Sequence, residues 1–325
     1  MKAFVVEKIG DKFTSSIKDV LKPKIIKNEL LIKVEYSSLN YKDALSSIGH
    51  AGVSRNFPHI TGIDLAGIIE ESKSPFFKKG EKVVVTGYDL GMNTDGGHSE
   101  FCKVPASWAI KIPNSLNSKE IMTYGTAGLT AALSVNELLK NGLTEHSKVL
   151  ISGSTGGVGS LCVGILNRLN MNVTAITTKI EKKEFLHSIG ASEVISLEDF
   201  MQNSSKAILK EEFDAFVDSV GGDVLAQGLK KLKYDGVATC CGLTASADLN
   251  TNVYPFILRG VRLIGIDSVE CKLEKKEAAW QKLGSSFKLD CLNEIANEIN
   301  FDDMQKVYKE LLDGKAVGRY VVKIS

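Results

Sequence analysis

Ser154, Gly156, Gly157, Val158 and Gly159 lie in the stretch Lys148-Val-Leu-Ile-Ser-Gly-Ser-Thr-Gly-Gly-Val-Gly-Ser160, where their types and spacing suit a pyrophosphate. Val149, Leu150 and Ile151 supply a buried strand. Gly156 lets backbone approach the phosphates with no Cβ in the way, and Gly159 lets the following helix pack closely. The helix start offers unpaired N–H groups and a favourable dipole. The usual G-x-G-x-x-G register would begin with glycine at 154; the residue here is Ser154, with an extra Gly153 before it. An apolar run before the glycines and the segment Val158 to Leu169 after them favour a dinucleotide site over an ordinary tight turn.

The next strand ends Ala175-Ile176-Thr177-Thr178-Lys179. A carboxylate at that place binds the ribose diol of NAD, and it is absent. Thr177 and Thr178 can donate hydrogen bonds to a phosphate that Lys179 neutralises, so NADPH is expected rather than NADH. Two readings oppose this: Lys179 as a solvated residue at a helix entrance, and Glu181 as an acid that leaves room for NADH.

These residues need a scaffold, and the periodicity supplies one. Ala3–Val6, Leu30–Tyr36, Ile63–Glu70 and Lys82–Thr86 read as short strands, which predicts a small β-rich domain. From about residue 124 strands and helices alternate, with strands at Lys148–Ile151, Asn172–Thr177, Glu193–Ile195, Phe213–Asp218, Gly236–Cys241 and Val261–Ile266. Six such strands predict one doubly wound parallel sheet, an α/β Rossmann domain. Helices follow at Leu273 to Leu283 and around Met304 to Leu312, then a strand from Arg319 to Ile324 that belongs with the first sheet. The expected domains are therefore 1–123 with 269–325, and 124–268.

A chain of 325 residues with 43% hydrophobic and 24% charged content is long enough for two cores. Forty Lys plus Arg against 39 Asp plus Glu give a formal charge of +1, which offers no electrostatic case for nucleic acid or an anionic membrane. The N-terminal apolar run is cut by charge, no stretch is long enough to span a bilayer, and a cytoplasmic protein is expected. Six scattered cysteines and five dispersed histidines show no metal-ligand spacing and no disulfide framework.

Ser37-Ser38-Leu39-Asn40-Tyr41-Lys42-Asp43-Ala44, Gly62-Ile63-Asp64-Leu65-Ala66-Gly67, Gly91-Met92-Asn93 with Gly96-Gly97, Gly125-Thr126-Ala127-Gly128, and Pro255-Phe256-Ile257-Leu258-Arg259 before Val261-Arg262-Leu263 carry a resemblance over essentially the whole chain. It is to the medium-chain dehydrogenase/reductase superfamily, in the zinc-independent acrylyl-CoA reductase branch often labelled quinone oxidoreductase. The resemblance implies a GroES-like catalytic domain beside the Rossmann domain and a homodimer. Where zinc-dependent members place Cys and His-Glu, this chain has Asn40 and Ile63-Asp64, so no metal is expected. Two departures stand out: Thr61 replaces a proline of the family pattern, and Lys179 replaces an arginine.

The implied reaction is hydride addition from NADPH to the β-carbon of an α,β-unsaturated thioester such as acrylyl-CoA, then α-protonation. Asn40, Tyr41 and Asn93 are the candidate catalytic residues, as donors to the thioester oxygen. Tyr41 is also expected against the nicotinamide, either packing there or supplying the proton. Asp43 is expected to orient the Asn40–Tyr41 turn or merely to start a helix. Asp218, Leu243, Ile266 and Ser268 follow later strands and are expected beside the cofactor, with a helix cap as the alternative for Asp218. Arg259, Arg262 and Arg319 are expected to reach cofactor or CoA phosphates, or else to form ion pairs. Reduction of a quinone or a general enone is the alternative activity, and an NADPH-binding redox sensor is the non-enzymatic one.

Overall fold

The computed structural model describes residues 1–325 and divides them into two units. The first holds Met1–Thr126, Val269–Gly284 and Ala296–Ser325, the second Ala127–Ser268 and Ser285–Ile295.

The second unit is a six-stranded parallel sheet with every expected strand present: Lys148–Ile151, Asn172–Thr177, Glu193–Ser196, Phe213–Asp218, Leu232–Cys240 and Arg262–Gly265. Numbered by appearance their order is 3-2-1-4-5-6. The order reverses between Lys148–Ile151 and Phe213–Asp218, which is where such sheets leave a crevice at the strands' carboxyl ends. Val149, Leu150 and Ile151 are fully buried, each contributing roughly 1.5–3 kcal/mol through loss of apolar surface from water. Residues 285–295 pack here and not with the first unit as expected. Leu289 lies against Gly164, and Arg168 bonds the Ser286 carbonyl and Asp290.

In the first unit the long strand Glu29–Leu39 is the hub, pairing antiparallel with Asp64–Ser72, Phe101–Pro105 and Arg319–Lys323. The closing strand therefore does return to the N-terminal sheet. Two registers decide the site. Tyr320 faces Leu39, which brings Arg319 beside Asn40; Tyr36 faces Ala66, which two residues further on brings Ser38 beside Asp64. The strand Lys12–Asp19 carries no continuous apolar run, and pairing with Lys2–Ile9 creates it. No helix is long and apolar enough to cross a membrane.

Candidate active site

In the second unit, Gly153 takes φ +59°, a left-handed value that favours glycine, and turns the chain out of its strand. The helix Gly157–Arg168 starts immediately after, with Gly156 as its N-cap and no side chain capping it. Its first N–H groups are thus available to an anion. A Cβ on Gly159 would lie 2.3 Å from the Gly153 carbonyl oxygen and 2.7 Å from the Ser154 Cα. Glycine is required there because the helix packs on the turn itself. Ser154, by contrast, is buried with its hydroxyl on the Ile151 carbonyl at 2.8 Å; it braces the turn.

Thr177 is also turned inward, its Oγ1 accepting the Lys179 N–H at 2.9 Å. Thr178 is exposed and Lys179 half-buried. Burial pulls the Lys179 ammonium below its ordinary pKa, with Glu181 opposing and Lys182 adding to the effect. Lys179 is thus a partly desolvated cation at the strand end, a state that a phosphate dianion would relieve.

Asp218 departs from the expected cofactor contact. It is 0% exposed, accepts Ser152 Oγ at 2.6 Å and the Gly221 N–H at 2.8 Å, and burial raises its pKa. Its carboxylate ties two strand-end loops together. Ser268 is likewise buried, accepting Thr130 Oγ1 at 2.7 Å. The Ile266 N–H donates to the Cys240 carbonyl at 2.9 Å, and Leu243 is 67% exposed, an apolar surface at the strand ends.

In the first unit, Asn40 directly follows the long strand and caps the helix Tyr41–Ser47 in a capping box with Asp43. Its Nδ2 lies 2.9 Å from Asp64 Oδ2 and 3.2 Å from Asp43 Oδ2, so both hydrogens face carboxylates and not the expected thioester oxygen. Arg319, 4% exposed, donates from Nη1 to Asn40 Oδ1 at 3.1 Å, from Nη2 to Ser38 Oγ at 2.9 Å and from Nε to the Thr123 carbonyl at 3.1 Å. It is an internal cation and cannot reach phosphates as expected. Ser38 donates to Asp64 Oδ2 at 2.6 Å, and Thr126 gives Asp64 its N–H at 2.9 Å and its hydroxyl. Asp43 accepts N–H groups from Asn40, Gly62 and Ile63. Burial, then the charge of Asp64, pushes its carboxyl up to about 7 against those donors.

Tyr41, first residue of the short helix, is 40% exposed and its hydroxyl has no hydrogen-bond partner. Asn93 is engaged in its loop, donating to Asp89 Oδ1 at 3.0 Å and accepting the Arg55 N–H at 3.0 Å. Arg259 donates to the carbonyls of Lys230 and Leu232 and pairs with Glu211, while Arg262 bonds Asn141 and the Asp235 carbonyl. Neither takes the expected phosphate role.

Sequence reasoning missed Ser38, His98 and Tyr308. His98 is buried and donates from Nε2 to the Ser38 carbonyl at 3.2 Å, which leaves Nδ1 a single acceptor shared by the Thr61 and Tyr308 hydroxyls, each 2.9 Å from it and 3.0 Å from one another. Thr61, the departure from proline, thus gains a hydrogen bond where the backbone loses rigidity. Burial drives the His98 pKa down to about 3, with the Ser38 contact opposing.

Residues 26–114 match the family described as alcohol dehydrogenase GroES-like domain, and residues 157–285 the one described as zinc-binding dehydrogenase. The chain is 42% identical to a putative quinone oxidoreductase, YhfP, of Bacillus subtilis over 99% of this chain and 98% of the relative. The solved structure of YhfP with NAD bound is similar at a TM-score of 0.96, covering 99% of each chain. It is 35% identical to the acrylyl-CoA reductase AcuI of Ruegeria pomeroyi over 99% of each. The yhdH oxidoreductase of Salmonella enterica, solved with NADP, is similar at a TM-score of 0.96 and 34% identity over 100% of each chain.

The second family description implies zinc, and the residues around Asn40 do not fit it. An amide replaces a soft donor, both carboxylates already accept hydrogen bonds, and the Arg319 guanidinium lies 4.0 Å from Asp64. A dication brought there would be repelled by that fixed positive charge.

Proposed function

The chain is an oxidoreductase belonging to the medium-chain dehydrogenase/reductase superfamily, and on that premise we propose that it reduces the C=C bond of a short α,β-unsaturated acyl-CoA, such as acrylyl-CoA to propionyl-CoA, using NADPH. The observation that carries this reading is an arginine-filled cluster at Asn40 followed, one residue later, by a free tyrosine hydroxyl. A cluster closed to a Lewis acid suits an alkene already activated by a thioester better than an unactivated alcohol.

The bound nicotinamide supplies a hydride. The uncapped helix start at Gly156 and Gly159 holds its pyrophosphate, and Thr178 and Lys179 receive the 2′-phosphate. Leu243 offers an exposed apolar side chain for the ring to rest on, with the Ile266 backbone at the neighbouring strand end. Tyr41 donates to the thioester oxygen as enolate charge develops, and it or water protonates the α-carbon. Asn40, Asp43 and Arg319 act through Tyr41, by fixing the helix turn that presents it.

Quinone reduction is the second reading, favoured by the name of the 42% identical relative. NADPH consumption followed in parallel with acrylyl-CoA, crotonyl-CoA and a benzoquinone tests both. A higher kcat/KM for acrylyl-CoA supports the thioester reading, and a higher value for the quinone replaces it.

A homodimer is supported by the outer strand Arg262–Gly265, which is paired on one side only, and by exposed Val253, Ile257 and Leu258 just before it. Sedimentation of the wild type against Ile257→Asp tests this; a monomeric wild type rejects it.

A further inference from the structure

The sequence contains five arginines, and four have work inside the fold. Arg168, Arg259, Arg262 and Arg319 are held by carbonyls, amides or acids. Arg55 differs. Its exposed guanidinium has no acidic partner, and its one side-chain hydrogen bond is a long one, from Nε to the Ala51 carbonyl at 3.4 Å.

The base of this side chain is nevertheless fixed. The Arg55 N–H donates to Asn93 Oδ1 at 3.0 Å. Ser54 before it is buried, 2.8 Å from the Ser46 hydroxyl and 3.4 Å from His59 Nε2. The loop from residue 48 to 58 contains no Asp or Glu. The nearest acids along the Asn93 loop, Asp89 and Asp95, accept from Asn93 Nδ2 and the Ile60 N–H.

Ser46 belongs to the same helix as Tyr41, about 7.5 Å further along at ~1.5 Å per residue. Arg55 therefore stands one short helix away from the free tyrosine hydroxyl, a separation that a pantetheine arm covers. We propose that Arg55 holds a phosphate group of the coenzyme A portion of the substrate, and so determines specificity for CoA thioesters over truncated ones. This rests on the thioester reading above. A guanidinium is suited to the task because its planar donors take phosphate oxygens in pairs, which an ammonium cannot do.

The test compares wild type, Arg55→Gln and Arg55→Lys on acrylyl-CoA and on the acrylyl thioester of N-acetylcysteamine, which keeps the reacting bond and lacks phosphates. Arg55→Gln is expected to raise KM for acrylyl-CoA about tenfold or more. Its kcat, its KM for NADPH and its kinetics on the truncated thioester stay at wild-type values. Arg55→Lys falls in between, and raised salt weakens acrylyl-CoA binding by the wild type more than by Arg55→Gln. An unchanged KM for acrylyl-CoA, or equal losses on both thioesters, overturns the assignment. A wild type that reduces benzoquinone but neither thioester removes the thioester reading and this inference with it, and the wild-type data alone identify that failure.

Discussion

Arg319 Nη1 donates to Asn40 Oδ1 at 3.1 Å across 279 residues of sequence, beside two buried carboxylates, Asp43 and Asp64. This contact joins the last strand of the chain to the turn that presents Tyr41. Removing the cation while leaving both acids strands buried negative charge. Arg319→Met should lower stability by about 3–5 kcal/mol, read from the denaturant midpoint, and lower kcat as the Tyr41 turn loosens. An unfolding midpoint equal to wild type would show that the cluster contributes nothing to stability.

Tyr41→Phe removes one exposed, unpartnered hydroxyl and disturbs no observed hydrogen bond. Thermal stability should stay at the wild-type value while kcat on the thioester falls by about 10²-fold or more. A drop of tenfold or less would leave the ring with a packing role only.

Lys179→Ala should raise KM for NADPH far more than for NADH, since only the former brings a 2′-phosphate to an ammonium whose pKa burial already holds below its ordinary value. Equal effects on the two cofactors would detach Lys179 from cofactor choice.

His98 links pH to stability. Folding lowers its pKa from 6.5 to about 3, so the unfolded chain takes up a proton first. Its contribution is complete above about pH 6.5 and is lost as pH falls toward 3, at up to about 1.4 kcal/mol per pH unit. His98→Gln should flatten the unfolding free energy in that window, with little change in slope above pH 7. An identical acid limb in wild type and variant would contradict the buried neutral ring.

Much of the fold was legible because it depends on local pattern. The glycines at 153, 156 and 159 between an apolar strand and a helix specify one turn whatever else the chain does, and the six strands of the parallel sheet are apolar runs of recognisable length. The same locality explains what was misread. Asp218 follows a strand and so invites a cofactor role, but whether its carboxylate faces outward depends on Ser152 and Gly221 in space. Residues 285–295 give no sign in sequence of packing against Gly164.

The sequence by itself determined a dinucleotide-type glycine turn, a basic strand end after Thr177, and a tyrosine after Asn40. Tertiary structure alone decided which polar groups remain free to act. Antiparallel register carried Arg319 to Asn40 and Ser38 to Asp64, turning apparent ligand groups into an internal network and leaving Tyr41 and Arg55 facing outward. The physical reason is that burial forces each polar group to find a partner, and partners separated by hundreds of residues are chosen by strand pairing, which no local pattern encodes.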